Sequence, residues 1–182
     1  VEGVPHGKQF PFRYYTAYRE FKPADAGAFS FYGRVSEPVQ NINDKCKLIV
    51  CDGLEKCLQK AIENFPALKG SVVSLCDNSG SAHGAFTSAY GSVKVADIAN
   101  LAALITAYNA TEESYVGVFG DSLKLYKVHK NKPILTQLDE ITTIGNGIGG
   151  GTENGIWMFF DQYINNTTYV DHIFVYSDMQ AG

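Results

Sequence analysis

The chain has 182 residues, 45% of them apolar and 19% charged, with a formal net charge of −4. That suffices for one full domain, or one domain and part of another, and excludes a disordered chain. No apolar run approaches the roughly 18–20 residues of a membrane helix.

The charge is uneven. Residues 1–70 hold ten Lys and Arg against eight Asp and Glu, whereas residues 71–182 hold five Lys against eleven Asp and Glu. The acidic second part is a poor candidate for gripping nucleic acid through phosphate neutralisation. The first residues, Val1-Glu2-Gly3-Val4-Pro5-His6, carry no initiator Met and no signal-peptide pattern, as expected of a segment from a longer chain. Cys46, Cys51, Cys57 and Cys76 lack zinc-site spacing and are read as reduced thiols, hence an intracellular protein.

In chain order, Pro11 opens a short aromatic helix through Tyr18, and residues 22–45 read as a loop. Asp52 with Glu55 three places on predicts a helix start. Leu54, Leu58, Ala61, Ile62 and Phe65 supply its apolar stripe, and Pro66 and Gly70 end it. Val72–Cys76 is a buried strand. A polar turn and loop follow to Gly91, then a helix from about Lys94 to Tyr108 with Ile98, Leu101, Ala102, Ile105 and Tyr108 inward. Strands Tyr115–Phe119 and Leu123–Val128 pair across Gly120-Asp121-Ser122. A glycine-rich loop, 145–151, leads to Thr152, a helix from about Glu153 to Ile164, and a last strand, His172–Ser177, ending at Asp178. Helices alternating with buried strands predict an α/β fold, a mostly parallel sheet covered on both faces.

The chemistry concentrates in Cys76-Asp77-Asn78-Ser79-Gly80-Ser81, at the C-terminal end of the first strand, where ligands bind in open α/β sheets. Thr152 and Asp178 are predicted at the same edge. Two carboxylates and three hydroxyls are hard oxygen donors suited to Mg²⁺ or Mn²⁺, with a position left for an outside carboxylate. Each residue alone has a plainer reading. Thr152 caps a helix, Ser79 and Ser81 form a turn, and Asp178 is a solvated strand end. Five of them in order favour the metal.

Asp77-x-Ser79-x-Ser81, then Thr152, then Asp178 resembles the metal-ion-dependent adhesion site of von Willebrand factor A domains. Phe10-Pro11-Phe12-Arg13-Tyr14-Tyr15, the helix Leu54–Phe65 with Pro66-Ala67-Leu68, and Gly150-Gly151-Thr152 resemble the C-terminal part of the Ro autoantigen (TROVE) family. The resemblance implies a Rossmann-like A domain over residues 70–182 with further strands and helices beyond Gly182. Residues 1–69 would be the tail of a ring of helical repeats that binds small noncoding or misfolded RNA. Ser79 and Ser81 would touch the metal directly, Thr152 directly or through water, and Asp77 and Asp178 directly or by holding coordinated waters. Asn78, between them, is read as unremarkable. The expected function is non-enzymatic: a cytoplasmic ribonucleoprotein component whose A domain binds a cation and a partner's acidic group. The alternative is an extracellular adhesion domain, to which the sequons Asn109-Ala110-Thr111 and Asn165-Asn166-Thr167-Thr168 would belong.

Three further patterns are weighed and set aside. Gly145-Asn146-Gly147-Ile148-Gly149-Gly150 matches a dinucleotide fingerprint after a short strand, Ile141–Ile144, with Asp171 as the acidic partner. His83 beside the serines invites a hydrolase, without a nucleophile elbow. Lys124 to Lys132, around His129, offers a phosphate contact, against which it reads as a solvated basic edge that discourages strand pairing.

Overall fold

The computed structural model describes residues 1–7, 9–21, 43–84, 93–151, 155–164 and 169–178. It divides into two compact units, Val1–Asn64 and Phe65–Gly182.

The first unit is helical: α1 (Val4–Gly7), α2 (Pro11–Phe21) and α3 (Asp44–Ile62). Pro11 begins α2, where its missing N–H costs nothing. The start of α3 departs from expectation. Asn43 is the N-cap, its side chain accepting from the Lys45 N–H at 2.9 Å. Asp52 lies inside the helix, paired with Lys56 one turn on at 2.6 Å. Inside the helix Asp52 and Glu55 serve instead in i,i+4 surface pairs, Asp52 with Lys56 and Glu55 accepting from Gln59. Leu58, Ala61 and Ile62 are buried as the stripe predicts, whereas Phe65 is exposed. The expected loop at 22–45 lies outside the described residues as far as 42.

The second unit carries one sheet, built from β1 (Val72–Asp77), β2 (Ser114–Phe119), β3 (Leu123–Lys127) and β4 (His172–Tyr176). Its order is β3-β2-β1-β4, with β1 parallel to β2 and β4, and β2–β3 an antiparallel hairpin. Between the strands lie α4 (Gly80–Gly84), α5 (Val95–Tyr108), α6 (Ile134–Gly145) and α7 (Gly155–Tyr163). This is the expected α/β architecture, Rossmann-like and consistent with an A domain, with α5 and α6 against one face and α7 against the other.

Central β1 is buried at every position, and its alternate residues enter different layers. Val73 and Leu75 join Phe119, Leu123 and Phe159 in the core beneath α7. The buried face of α5 is richer than its periodicity suggests. Leu101 and Ile105 are inside, but so are Leu104, Asp97 and Asn100, while Ile98, Ala102 and Tyr108 are half-buried.

Helix α6 is the main departure from expectation. Ile134, Leu135, Leu138 and Ile141 form its apolar face, and the expected strand at 141–144 is its last turn. Buried Gln137 interrupts that face for a local reason. Its Oε1 accepts from the His129 N–H at 2.8 Å, and its Nε2 donates to the carbonyls of His129 (2.9 Å) and Lys132 (3.0 Å). It therefore fastens the exit of the hairpin to the helix.

Candidate metal centre

Strand order reverses beside β1. The path through α5 leads to β2 on one side, and the path through α6 and α7 returns to β4 on the other. The crevice at the C-terminal ends of β1 and β4 is therefore the topological switch point, the ordinary ligand position in such sheets.

Asp77 ends β1 in that crevice and is fully buried. Its Oδ1 accepts from the Ser79 N–H at 2.9 Å, an Asx-type turn that closes the strand. Its Oδ2 accepts from Ser177 Oγ, just past β4, at 2.9 Å. The hydroxyls of Ser79 and Ser81 lie 3.0 Å apart. Ser79 is buried, and Ser81 stands in the first turn of α4. Asp178, half-buried, follows Ser177 at the same sheet edge. Thr152 lies outside the described residues. The loop before it reaches the serines, because the Gly80 N–H donates to the Gly150 carbonyl at 2.8 Å. Asp77, Ser79 and Ser81 are thus joined by hydrogen bonds, with Asp178 at the same edge.

Among the described residues Asp77 has no Lys or Arg countercharge. The base nearest in sequence, His83, is pushed towards its neutral form, chiefly by burial and then by the charge on Lys94, with Asp97 and Asp77 opposing. A buried carboxylate with two hydrogen bonds and no cation is costly, and a bound divalent ion would relieve that cost. Among the described residues no group of three or more His, Cys, Asp and Glu side chains could hold a metal. A site of two carboxylates and several hydroxyls would not form such a group. The donors are all hard oxygens, which fits Mg²⁺ or Mn²⁺ and not zinc.

Two residues here escape sequence reasoning. Ser177 bridges β4 to Asp77 across 100 positions of chain, and no local pattern announces that. Asn78 is far from unremarkable. Its amide and that of Asn100 on α5 donate to each other at 2.7 and 3.0 Å, both side chains being buried. Gly145, the last residue of α6, has no side chain because a Cβ there would strike the Asn78 amide. This node fixes the serine turn on α5 and α6. Two asparagines 22 positions apart, one of them on a buried helix face, were the only available signal.

The competing patterns dissolve. Gly145 closes a helix, so the glycines do not follow a strand as a dinucleotide loop must. Asp171 accepts from the Ser71 N–H at 2.7 Å and the Ser71 hydroxyl at 2.8 Å, where β1 and β4 begin. Among the described residues His83 Nε2 is buried without a hydrogen-bond partner, and the ring's backbone bond goes to Gly145 and not to either serine. Three lysines of the basic hairpin have structural partners. Lys127 pairs with Glu113, Lys132 with Glu140 at 2.5 Å, and Lys130 donates to the Tyr108 and Ala110 carbonyls at the end of α5. The Asn109 side chain donates to the Ile105 carbonyl at 2.8 Å, a bond that a glycan would disturb. The other sequon lies outside the described residues. All four cysteines are free thiols. Among the described residues no helix is long and apolar enough to cross a membrane.

No family model matches the chain, and no curated protein matches it. Among solved structures it is similar to the crystal structure of the Ro (RSR) protein of Deinococcus radiodurans, with 18% identity and a TM-score of 0.49 over 96% of this chain. The chain spans about a third of that protein, 32% of its length.

Proposed function

We propose that the crevice between β1 and β4 binds a divalent cation, Mg²⁺ or Mn²⁺, through Asp77, Ser79, Ser81, Thr152 and Asp178. The observation that carries this reading is the buried Asp77 carboxylate, shared between Ser79 and Ser177 and without a Lys or Arg partner among the described residues. When bound, such an ion supplies an electrophilic open position that accepts an acidic side chain from a partner protein. The chain's own residues do the rest. Ser177 and the Ser79 N–H orient the Asp77 carboxylate, and the Asn78–Asn100 pair holds the serine turn in place.

The activity in this reading is binding without turnover. The domain serves as the interaction module of a cytoplasmic ribonucleoprotein of the Ro type. RNA contact falls to a helical module of which residues 1–69 are the tail. The support is the order and spacing of the five oxygen-bearing residues and their flanking motifs. Turnover of phosphate esters that Asp77→Ala abolishes would contradict the non-enzymatic part.

Calorimetric titration with MgCl₂ and MnCl₂ tests the cation. Wild type should give a saturable heat that Ser79→Ala/Ser81→Ala loses. Equal heats from both proteins would reject these ligands.

A further inference from the structure

The turn between β2 and β3 holds a carboxylate that the proposed site does not use. Asp121 is exposed, yet the glycine segment 149–151 wraps around it. Its Oδ1 accepts the Gly151 N–H. A Cβ on either Gly149 or Gly151 would run into that same carboxylate, and Gly149 has a φ of +87°, where side chains are strained. The neighbouring Ser122 hydroxyl donates to the Ile148 carbonyl at 3.3 Å. On its other side the segment accepts the Gly80 N–H at Gly150. The glycine segment is therefore fastened at two points, to the hairpin turn and to the serine turn.

From this geometry we infer that Asp121 is a positioning residue of the crevice: it holds segment 149–151 against the serine turn. The inference rests on the cation reading above and adds a residue to it. An exposed hydrogen bond of this kind contributes little to global stability. Its removal should therefore act on the loop and leave the fold intact. Positioning partners behind metal ligands typically change affinity by about 10- to 100-fold.

The experiment uses the whole chain and the variants Asp121→Ala and Asp121→Asn. Amide hydrogen exchange at Gly80 and Gly151 is followed by NMR, with Mg²⁺ titrated in parallel. Asp121→Ala should speed exchange at both amides and weaken Mg²⁺ about tenfold, with an unchanged urea midpoint. Asp121→Asn keeps an accepting oxygen and should restore both readings to near wild type. Unchanged Gly80 exchange in Asp121→Ala overturns the inference. A wild type that takes no Mg²⁺ overturns the cation reading instead. The role of Asp121 in holding the loop is then decided by the Gly80 exchange alone.

Discussion

Asn78 and Asn100 show what a buried polar pair asks of its neighbours. The two buried amides donate to each other, and the Asn78 nitrogen also reaches the Cys76 carbonyl at 3.3 Å. Asn100→Ala leaves the buried Asn78 Oδ1 without its donor and should cost about 1–3 kcal/mol in urea denaturation. Asn78→Ala/Asn100→Ala should cost less than the sum of the single changes, since the second removal strands nothing. An additive double mutant would mean that the pair is not coupled. Ser74 is the opposite case: its hydroxyl is buried in β1 with no hydrogen-bond partner among the described residues. Ser74→Ala removes that unsatisfied group and should raise stability by up to ~1 kcal/mol, read as a higher melting temperature. A fall would reveal a partner for the hydroxyl. Asp77, Ser79 and Ser81 were legible in the sequence because their relation is local, a turn two residues long. Ser177 and Asn78 were not, because each acquires its role from a strand or helix elsewhere in the chain.

At the scale of elements, strands were legible where apolar runs were short and bounded by turns, as in β1 and the β2–β3 hairpin. Helix α6 was hidden by its own composition. Gln137 interrupts the apolar face, and Ile141-Thr142-Thr143-Ile144 has a strand's β-branched character. Tertiary packing overrides that preference, because Ile134, Leu138 and Ile141 are buried on a single helical face. The beginning of α3 was missed for a related reason. Gly53 resembles a break, yet it sits in the helix with open space where a side chain would be.

The tie between α6 and β3 predicts an acid response. The Lys132 ammonium and the Tyr126 hydroxyl, 2.6 Å from Glu140, hold the Glu140 carboxyl below its ordinary value of 4.5. A carboxyl depressed in the folded state stabilises above its unfolded value, and that contribution is lost as the pH falls through the folded one. Stability should therefore decline below about pH 4.5, and Glu140→Gln should flatten that decline. An identical acid profile for the variant would show that the cluster contributes nothing.

For the whole molecule, the fold supplies what the proposed function requires. A central strand buried on both faces delivers a carboxylate to the switch point, and two loops and a neighbouring strand gather around it. The reversal of strand order at β1 makes this edge a binding position before any side chain is considered. The parallel sheet was legible from the alternation of helices and strands. That the Gly150 carbonyl and Ser177 meet the turn at Asp77 was not legible, because spacing along the chain does not state proximity.

Crystals grown with MnCl₂ and measured at the manganese absorption edge test the central claim most directly. The account predicts a single strong anomalous peak within direct coordination distance of the Ser79 and Ser81 hydroxyl oxygens, with Asp77 and Asp178 bound to it directly or through water. A saturated crystal with no peak in that crevice, or with its peak elsewhere, would contradict it.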